Sequence, residues 1–193
     1  MLVQQLKEVP DDLFAAAKAE IDAIDFDSIK DPRAKAEVFN TSTAIHLRVH
    51  KPPVGKPMPR TIDEWSVITE CVNHPLNYSK YPAVIELCKW IYEQVGGIEM
   101  GRIMIISLAP GGDVAPHIDP LDYFEQFSRF HVPMKTNPGV VFNDGAGSPD
   151  EHMPYKTLCR LNNRLMHALY NRGTENRIHL LADIRQPGGN EIF

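Results

Sequence analysis

Two segments of the first hundred residues place apolar side chains at the three- and four-residue spacing of an amphipathic helix. The first covers residues 11–24, where Asp11 or Asp12 can cap the helix and leucine, alanine and isoleucine side chains fall on one stripe. The second covers residues 81–95 and is followed by Gly96–Gly97, a pair that favours helix termination. The pattern therefore predicts two helices in the N-terminal half.

Short segments of alternating or continuous apolar character predict strands between and beyond these helices. Residues 44–50 alternate, with isoleucine, leucine and valine on one face and histidine and arginine on the other. Further β-rich segments follow at close spacing, separated by turn residues: residues 102–108, 129–134, 139–142, 167–170 and 177–184. Closely spaced short strands are typical of a sandwich or small barrel. The pattern therefore predicts an α+β fold in which N-terminal helices support a β core.

Composition narrows the class of protein. The chain has 193 residues, and its 25 acidic and 20 basic side chains leave a net charge of −5, which offers no electrostatic reason to bind nucleic acid. Residues 1–12 mix charged and apolar side chains, unlike a signal peptide, and no apolar segment is long enough to span a bilayer. The three cysteines are widely spaced and match neither a disulfide framework nor a zinc ribbon. We therefore expect one domain over residues 1–193, located in the reducing cytoplasm.

The eight histidines are the first candidates for chemistry, since histidine is the commonest protein metal ligand. His117 and Asp119 are separated by one residue, and in an extended segment positions i and i+2 project to the same face. A second histidine from a distant strand would complete a set of two histidines and one carboxylate. That set holds one face of an octahedral metal ion and is typical of non-haem Fe(II) oxygenases.

A second pair of polar residues lies in the segment 129–134. Arg129 and His131 share one face of this predicted strand, opposite an apolar face. If the polar face points inward, a guanidinium and an imidazole need an anion to compensate for their burial. The alternative is an outer face with solvated charges.

A third pair consists of His167 and Arg177, ten residues apart in a segment that reads as strand, turn, strand. An arginine returning to the same interior as the histidine could bind a carboxylate bidentately. By parity, His179 and Asp183 share the face of Arg177 and are candidates for orienting the site. The alternative pairs Arg177 with Asp183 or Glu175 and leaves His167 as an ordinary histidine.

Taken in order, these motifs resemble those of a known enzyme family. The segment 108–117 (LAPGGDVAPH), followed by Arg129, His131, His167 and Arg177, resembles the aspartyl/asparaginyl β-hydroxylases. These are Fe(II)- and 2-oxoglutarate-dependent oxygenases built on a double-stranded β-helix, a cupin-like jelly roll. The resemblance covers about residues 100–185. It implies a jelly-roll core with the metal site over residues 101–185, and helical support with early strands over residues 1–100.

The resemblance implies a role for each matching residue. His117 and His167 match the two iron-binding histidines, and Arg177 matches the arginine that binds the distal carboxylate of 2-oxoglutarate. Arg129 and His131 match a segment that also lines the cosubstrate site.

Asp119 provides a carboxylate at a position where part of the family has none. The animal aspartyl β-hydroxylases lack a carboxylate at this position, whereas other members of the wider oxygenase superfamily have one. Its presence favours a facial triad of His117, Asp119 and His167. The substrates of the animal enzymes are therefore not carried over to this chain.

The resemblance implies a dioxygenase that uses Fe(II), 2-oxoglutarate and dioxygen to hydroxylate an unactivated C–H bond. The expected partner is an amino acid, or an amino-acyl residue of a peptide or protein. One alternative is a cupin-type metalloenzyme without 2-oxoglutarate, which needs the same histidines but not Arg177. Another is a jelly-roll module that binds a peptide without catalysis.

Overall fold

The computed structural model describes residues 1–29, 41–55, 59, 64, 67–119, 121–191 and 193. Within them lie ten strands: β1 (Val3–Glu8), β2 (Ser42–His50), β3 (Cys71–Asn73), β4 (Glu99–Leu108), β5 (Asp113–His117), β6 (Phe127–Lys135), β7 (Val140–Asn143), β8 (Thr157–Leu161), β9 (His167–Asn171) and β10 (Arg177–Arg185). The described α-helices are α1 (Asp11–Asp22), α2 (Pro82–Gln94) and α3 (Leu121–Phe124), and two short 3-10 helices cover Phe26–Ser28 and Tyr78–Lys80.

The described strands form two antiparallel sheets. The large sheet has the order β1-β8-β6-β10-β4-β2-β3, and the small sheet has the order β5-β9-β7. Apolar side chains from both sheets pack together between them, with Leu108 and Leu161 contributed by the large sheet and Val140, Phe142 and Leu169 by the small one. The strands that carry the candidate site residues therefore face the interior between the sheets.

Helices α1 and α2 cover the outer face of the large sheet. Phe14, Ala17 and Ile21 of α1 pack with α2 and with β-strand residues such as Ile105 and Leu180 in one apolar cluster. Strand β10 is consequently buried on both faces along most of its length, which leaves its inward polar residues inaccessible to bulk water.

Helix α2 receives its N-terminal cap from α1. Its own flanking residue Tyr81 makes no capping side-chain hydrogen bond. Instead, the two Glu20 carboxylate oxygens accept hydrogen bonds of 3.0 Å from the backbone N–H groups of Ala83 and Val84. The acidic group also opposes the positive end of the helix dipole, so Glu20 ties the two helices together.

We expect Glu20→Ala to lower the free energy of unfolding by about 1–2 kcal/mol, because two N–H groups at the α2 N-terminus lose their partner. Urea denaturation would measure the change. The matched control is Glu86→Ala on α2, since the Glu86 side chain is exposed and pairs with the equally exposed Lys89, and such pairs contribute little. Equal destabilisation by both substitutions would contradict the capping role.

Four strands lie outside the elements predicted from the sequence: β1, β3, β5 and β8. Strand β1 is an edge strand with a single fully buried side chain, Val3, followed by five more exposed residues, so it lacks the alternation by which strands are recognised. Its N-terminal end is held by Glu151, whose carboxylate accepts hydrogen bonds of 2.7 and 2.8 Å from the backbone N–H groups of Leu2 and Val3. Tertiary contact, and not local pattern, determines this strand.

Candidate active site

Strand register brings two of the predicted metal ligands together. Strands β5 and β9 pair antiparallel with His117 directly opposite His167, and their ring centroids lie 4.3 Å apart. Asp119 follows β5 by two residues. The ligand atoms of His117, Asp119 and His167 all lie within 4.8 Å of one another. The structure therefore assembles the three residues that the sequence analysis singled out, while metal binding by them stays a prediction.

Backbone carbonyl groups set the tautomer of both histidines. The Nδ1 atom of His117 lies 2.8 Å from the carbonyl oxygen of Ala115, and that of His167 lies 2.9 Å from the carbonyl oxygen of Leu165. Because a carbonyl oxygen only accepts, each Nδ1–H donates. The neutral rings then present the Nε2 lone pairs, which is the form that binds metal ions.

Asp119 offers one carboxylate oxygen to the histidines and uses the other to anchor itself. Its Oδ1 atom lies 3.7 Å from His117 Nε2. Its Oδ2 atom accepts hydrogen bonds of 2.8 Å from Arg129 Nη1 and from Asn163 Nδ2. The side chain is therefore held in an orientation that leaves one oxygen available as a ligand.

The same neighbours also keep the Asp119 carboxyl group ionised. Burial raises the pKa of this carboxyl, but the Arg129 guanidinium outweighs it together with the hydrogen bond from Asn163, and the pKa falls well below its ordinary value. Asp119 therefore remains an anionic oxygen donor throughout the neutral range.

Arg129 is engaged by protein carboxylates. It lies directly opposite Asp183 in the pairing of β6 with β10, and its Nε and Nη2 atoms donate to Asp183 over 2.9 and 3.2 Å. Its third hydrogen bond goes to Asp119. Arg102 also donates to Asp183, over 3.1 Å. The polar face of β6 therefore points inward and is not the solvated outer face of the alternative interpretation. The hydrogen bonds of Arg129, however, go to carboxylates of the protein. A cosubstrate contact by Arg129 stays a prediction.

We expect Arg129→Met to weaken the binding of a divalent metal by about 10- to 100-fold, because Asp119 loses the group that orients it. The free energy of unfolding should fall by about 3–5 kcal/mol, since two buried carboxylates lose a partner. Arg129→Lys keeps the charge but not the fork of donors. Its metal affinity and its free energy of unfolding should lie between those of the wild type and those of Arg129→Met. Calorimetric titration with Mn(II) and urea denaturation would measure both effects. Unchanged metal affinity with weaker 2-oxoglutarate binding would instead assign Arg129 to the cosubstrate.

Arg177 is buried without a carboxylate partner among the described residues. Only 2% of the Arg177 surface is exposed, and its Nε atom has no hydrogen-bond partner among these residues. The alternative pairing with Asp183 or Glu175 is not found, because Asp183 binds Arg129 and Arg102 while Glu175 pairs with Lys135. Burial lowers the pKa of Arg177 to about 9, so the guanidinium is still cationic at neutral pH.

Three side chains surround this guanidinium between the sheets, and we call the set of Arg177, His179, His131 and Phe142 the Arg177 cluster. The ring of His131 lies 5.6 Å from that of His179, and Arg177 Cζ lies 5.8 Å from the Phe142 ring centroid. Neither ring nitrogen of His131 has a hydrogen-bond partner in the described part of the chain. Burial and the charge of Arg177 hold the pKa of His131 well below its ordinary value, so the ring is neutral.

The sequence analysis missed one residue that contacts the triad. Asn163 is fully buried. It donates to Asp119, and its backbone oxygen accepts a hydrogen bond from the Asp119 N–H group. The only local sign is the pair Asn162–Asn163 at the end of β8, which is too common a feature to predict such a contact.

Two features test whether this site fits a metal ion and a carboxylate cosubstrate. The triad supplies two imidazole nitrogens and one anionic oxygen from one side, the donor set of an octahedral divalent metal with open positions. The Arg177 cluster holds a buried cation and unpaired polar atoms, and such groups are costly unless a ligand satisfies them. Both groups of residues fit.

The solved structures that the chain resembles include a member of the 2OG-Fe(II) oxygenase family and two prolyl hydroxylases. An oxidoreductase of the 2OG-Fe(II) oxygenase family from Burkholderia pseudomallei is 13% identical, with a TM-score of 0.56 over 89% of this chain and 79% of that one. A prolyl-4-hydroxylase from Pseudomonas putida is 15% identical, with a TM-score of 0.54 over 96% and 92%. A prolyl hydroxylase from Trichoplax adhaerens, in complex with a hypoxia inducible factor peptide fragment, is 6% identical, with a TM-score of 0.64 over 97% and 85%. The predicted double-stranded β-helix is confirmed.

The sequence defines the family within this fold. A model of the aspartyl/asparaginyl beta-hydroxylase family matches residues 28–187, and the chain belongs to that family. The resemblance inferred from the motifs is confirmed, and so is the predicted class of enzyme, a 2-oxoglutarate-dependent hydroxylase. No curated protein matches the chain in sequence. Among the described residues, no helix combines the length and apolar composition needed to cross a membrane.

Proposed function

We propose that this protein is an Fe(II)- and 2-oxoglutarate-dependent dioxygenase that hydroxylates an unactivated C–H bond of an amino acid or amino-acyl residue. The observation that carries the proposal is the Arg177 guanidinium, buried between the sheets without a carboxylate partner among the described residues. The buried His131 side chain links it to the triad, because His131 lies within electrostatic range of Arg177 and of both Asp119 and His167. A metal site alone does not need such a cation, whereas a dicarboxylate cosubstrate does.

Each residue of the site has a distinct task in this proposal. His117, Asp119 and His167 would hold Fe(II), and Arg177 would hold a carboxylate of 2-oxoglutarate. Iron and cosubstrate together supply the activation of dioxygen that oxidises the C–H bond. Arg129 and Asn163 keep Asp119 anionic and oriented. The backbone acceptors of the two histidines keep their Nε2 lone pairs directed at the metal position.

Apolar surroundings separate the cosubstrate position from bulk water. Phe142 is 2% exposed and lies against Arg177, and Leu108 and Leu169 pack in the same interior cluster. Excluding water strengthens the attraction between a guanidinium and a carboxylate, and it also limits side reactions of a reactive centre.

One side of the triad is open to solvent. His117 keeps 19% of its side chain exposed, against 8% for Asp119. This exposed edge of the triad supports the approach of the substrate from the side of His117.

The proposal is tested by loading the protein with Fe(II) and measuring succinate release from 2-oxoglutarate. Free amino acids should be compared with peptides that contain proline, aspartate or asparagine, and mass spectrometry should locate the added oxygen. Succinate formation coupled to a substrate gaining one oxygen atom is expected. Turnover of a substrate that proceeds equally well without 2-oxoglutarate would favour a cupin-type metalloenzyme instead.

A further inference from the structure

Arg177 donates a hydrogen bond to a histidine of its own strand. Arg177 and His179 are two residues apart on β10 and therefore share its inner face, and Arg177 Nη2 lies 2.7 Å from His179 Nδ1. A guanidinium has donors only, so Nδ1 must accept. The hydrogen of the neutral His179 ring is consequently on Nε2, which has no partner among the described residues.

His179 is suited to accept this bond permanently. The side chain is completely buried, and both its burial and the charge of Arg177 lower its pKa well below the ordinary value. The ring therefore stays neutral, and its Nδ1 lone pair stays available. Its position is fixed by packing, because the rings of His131 and Phe142 lie 5.6 and 6.5 Å away.

The chemical type of the acceptor matters for a ligand-binding arginine. A carboxylate in this place would neutralise Arg177 and compete with an incoming anion. A neutral imidazole orients the guanidinium and leaves its charge uncompensated. Asp183 lies on the same face of β10, four residues after His179, but its carboxylate pairs with Arg129 and Arg102. Strand β10 thus provides a carboxylate, Asp183, for Arg129 and a neutral acceptor, His179, for Arg177.

We propose that His179 is a positioning residue that orients the Arg177 guanidinium for a carboxylate of 2-oxoglutarate. The role rests on the proposed function, because it requires that Arg177 binds this cosubstrate. It adds to that function a residue that need not touch the ligand and acts through Arg177.

The first test compares variants of His179 by anaerobic calorimetric titration of the Mn(II)-loaded protein with 2-oxoglutarate. His179→Phe keeps a ring but removes the acceptor, and should weaken 2-oxoglutarate binding by about tenfold or more, the effect of one charge-assisted hydrogen bond. The KM for 2-oxoglutarate should rise while kcat at saturation is retained. His179→Gln restores a neutral acceptor and should recover most of the affinity.

Two controls separate positioning from loss of structure. Mn(II) affinity should be unchanged in both His179 variants, which shows that the triad is intact. His152→Phe should bind 2-oxoglutarate as the wild type does, because His152 is an exposed histidine whose Nδ1 contacts the carbonyl of Val140. Wild-type affinity in His179→Phe would overturn the inference.

A second readout does not depend on cosubstrate. Nitrogen-15 NMR of the wild-type protein without ligand should show His179 protonated at Nε2 and unprotonated at Nδ1, and Arg177→Met should shift the Nδ1 resonance. A protonated Nδ1 would overturn the inference. If the wild type failed to bind 2-oxoglutarate while this signal was present, the proposed function would fall and the Arg177–His179 bond would stand.

Discussion

His167→Ala is expected to abolish hydroxylation. The substitution removes one of the three ligand atoms that lie within 4.8 Å of one another, and the reactivity of the enzyme resides in the metal that these atoms hold. Metal affinity should fall by more than about 100-fold, because even partners outside the ligand set change it by about 10- to 100-fold. His117→Ala should have the same effect, since the two rings face each other across paired strands.

Substrate oxidation and Mn(II) titration would measure the two effects, in buffer without imidazole or other external ligands. His152→Ala is the matched control, because His152 contacts a backbone carbonyl outside the triad and its loss should leave activity unchanged. Hydroxylation by His167→Ala under these conditions would contradict the assignment of the metal site.

Arg177→Met is expected to raise the KM for 2-oxoglutarate by about 100-fold. The guanidinium is buried and has no carboxylate partner in the described residues, so a bound carboxylate would gain its full charge-assisted hydrogen bonding there. Losing about 3 kcal/mol of such interaction corresponds to about two orders of magnitude in affinity. Methionine fills the space without a buried charge, so the fold should be retained.

The control for this substitution is Arg172→Met, because Arg172 lies on the surface with 56% of its side chain exposed and pairs with Asp150. It should leave the KM unchanged. Mn(II) affinity should be near the wild-type value in both variants. If Arg177→Met left the 2-oxoglutarate dependence untouched, the cosubstrate assignment would fail and a metalloenzyme without 2-oxoglutarate would become the better account.

The proximity of His117 and Asp119 was predictable because their spacing is local, whereas His167 and Arg177 were connected to them through the family resemblance. His117 and Asp119 stand two residues apart, and that spacing places both side chains on one side of the chain near the end of β5. The ten-residue separation of His167 and Arg177 reflects two strands joined by a turn, β9 and β10. The order of these motifs along the chain was then sufficient to indicate the family.

The partners of Arg129 were not predictable in the same way. The motif places Arg129 and His131 on one face, but only the register of β6 against β10 sets Arg129 opposite Asp183. The hydrogen bond to Asp119 depends on the path of the chain after β5. Such pairing is decided by tertiary geometry, and the sequence pattern carries no trace of it.

The contrast between the two inward arginines follows from the same geometry. Arg129 is compensated by two buried carboxylates, whereas Arg177, at the start of β10, meets the neutral His179. The sequence pattern allowed an inward position for both guanidinium groups and left a solvated outer face open for Arg129. It could not tell which of them was already satisfied by the protein and which was left for a ligand.

The most direct test of the central claim is an anaerobic titration of the Fe(II)-loaded protein with 2-oxoglutarate, followed by visible absorption. Coordination of a 2-oxo acid to Fe(II) produces a charge-transfer band that neither component shows alone. We predict a band that saturates at one 2-oxoglutarate per chain in the wild type, needs a much higher concentration in Arg177→Met, and is absent in His167→Ala. A wild-type protein that binds Fe(II) but develops no band would contradict the account.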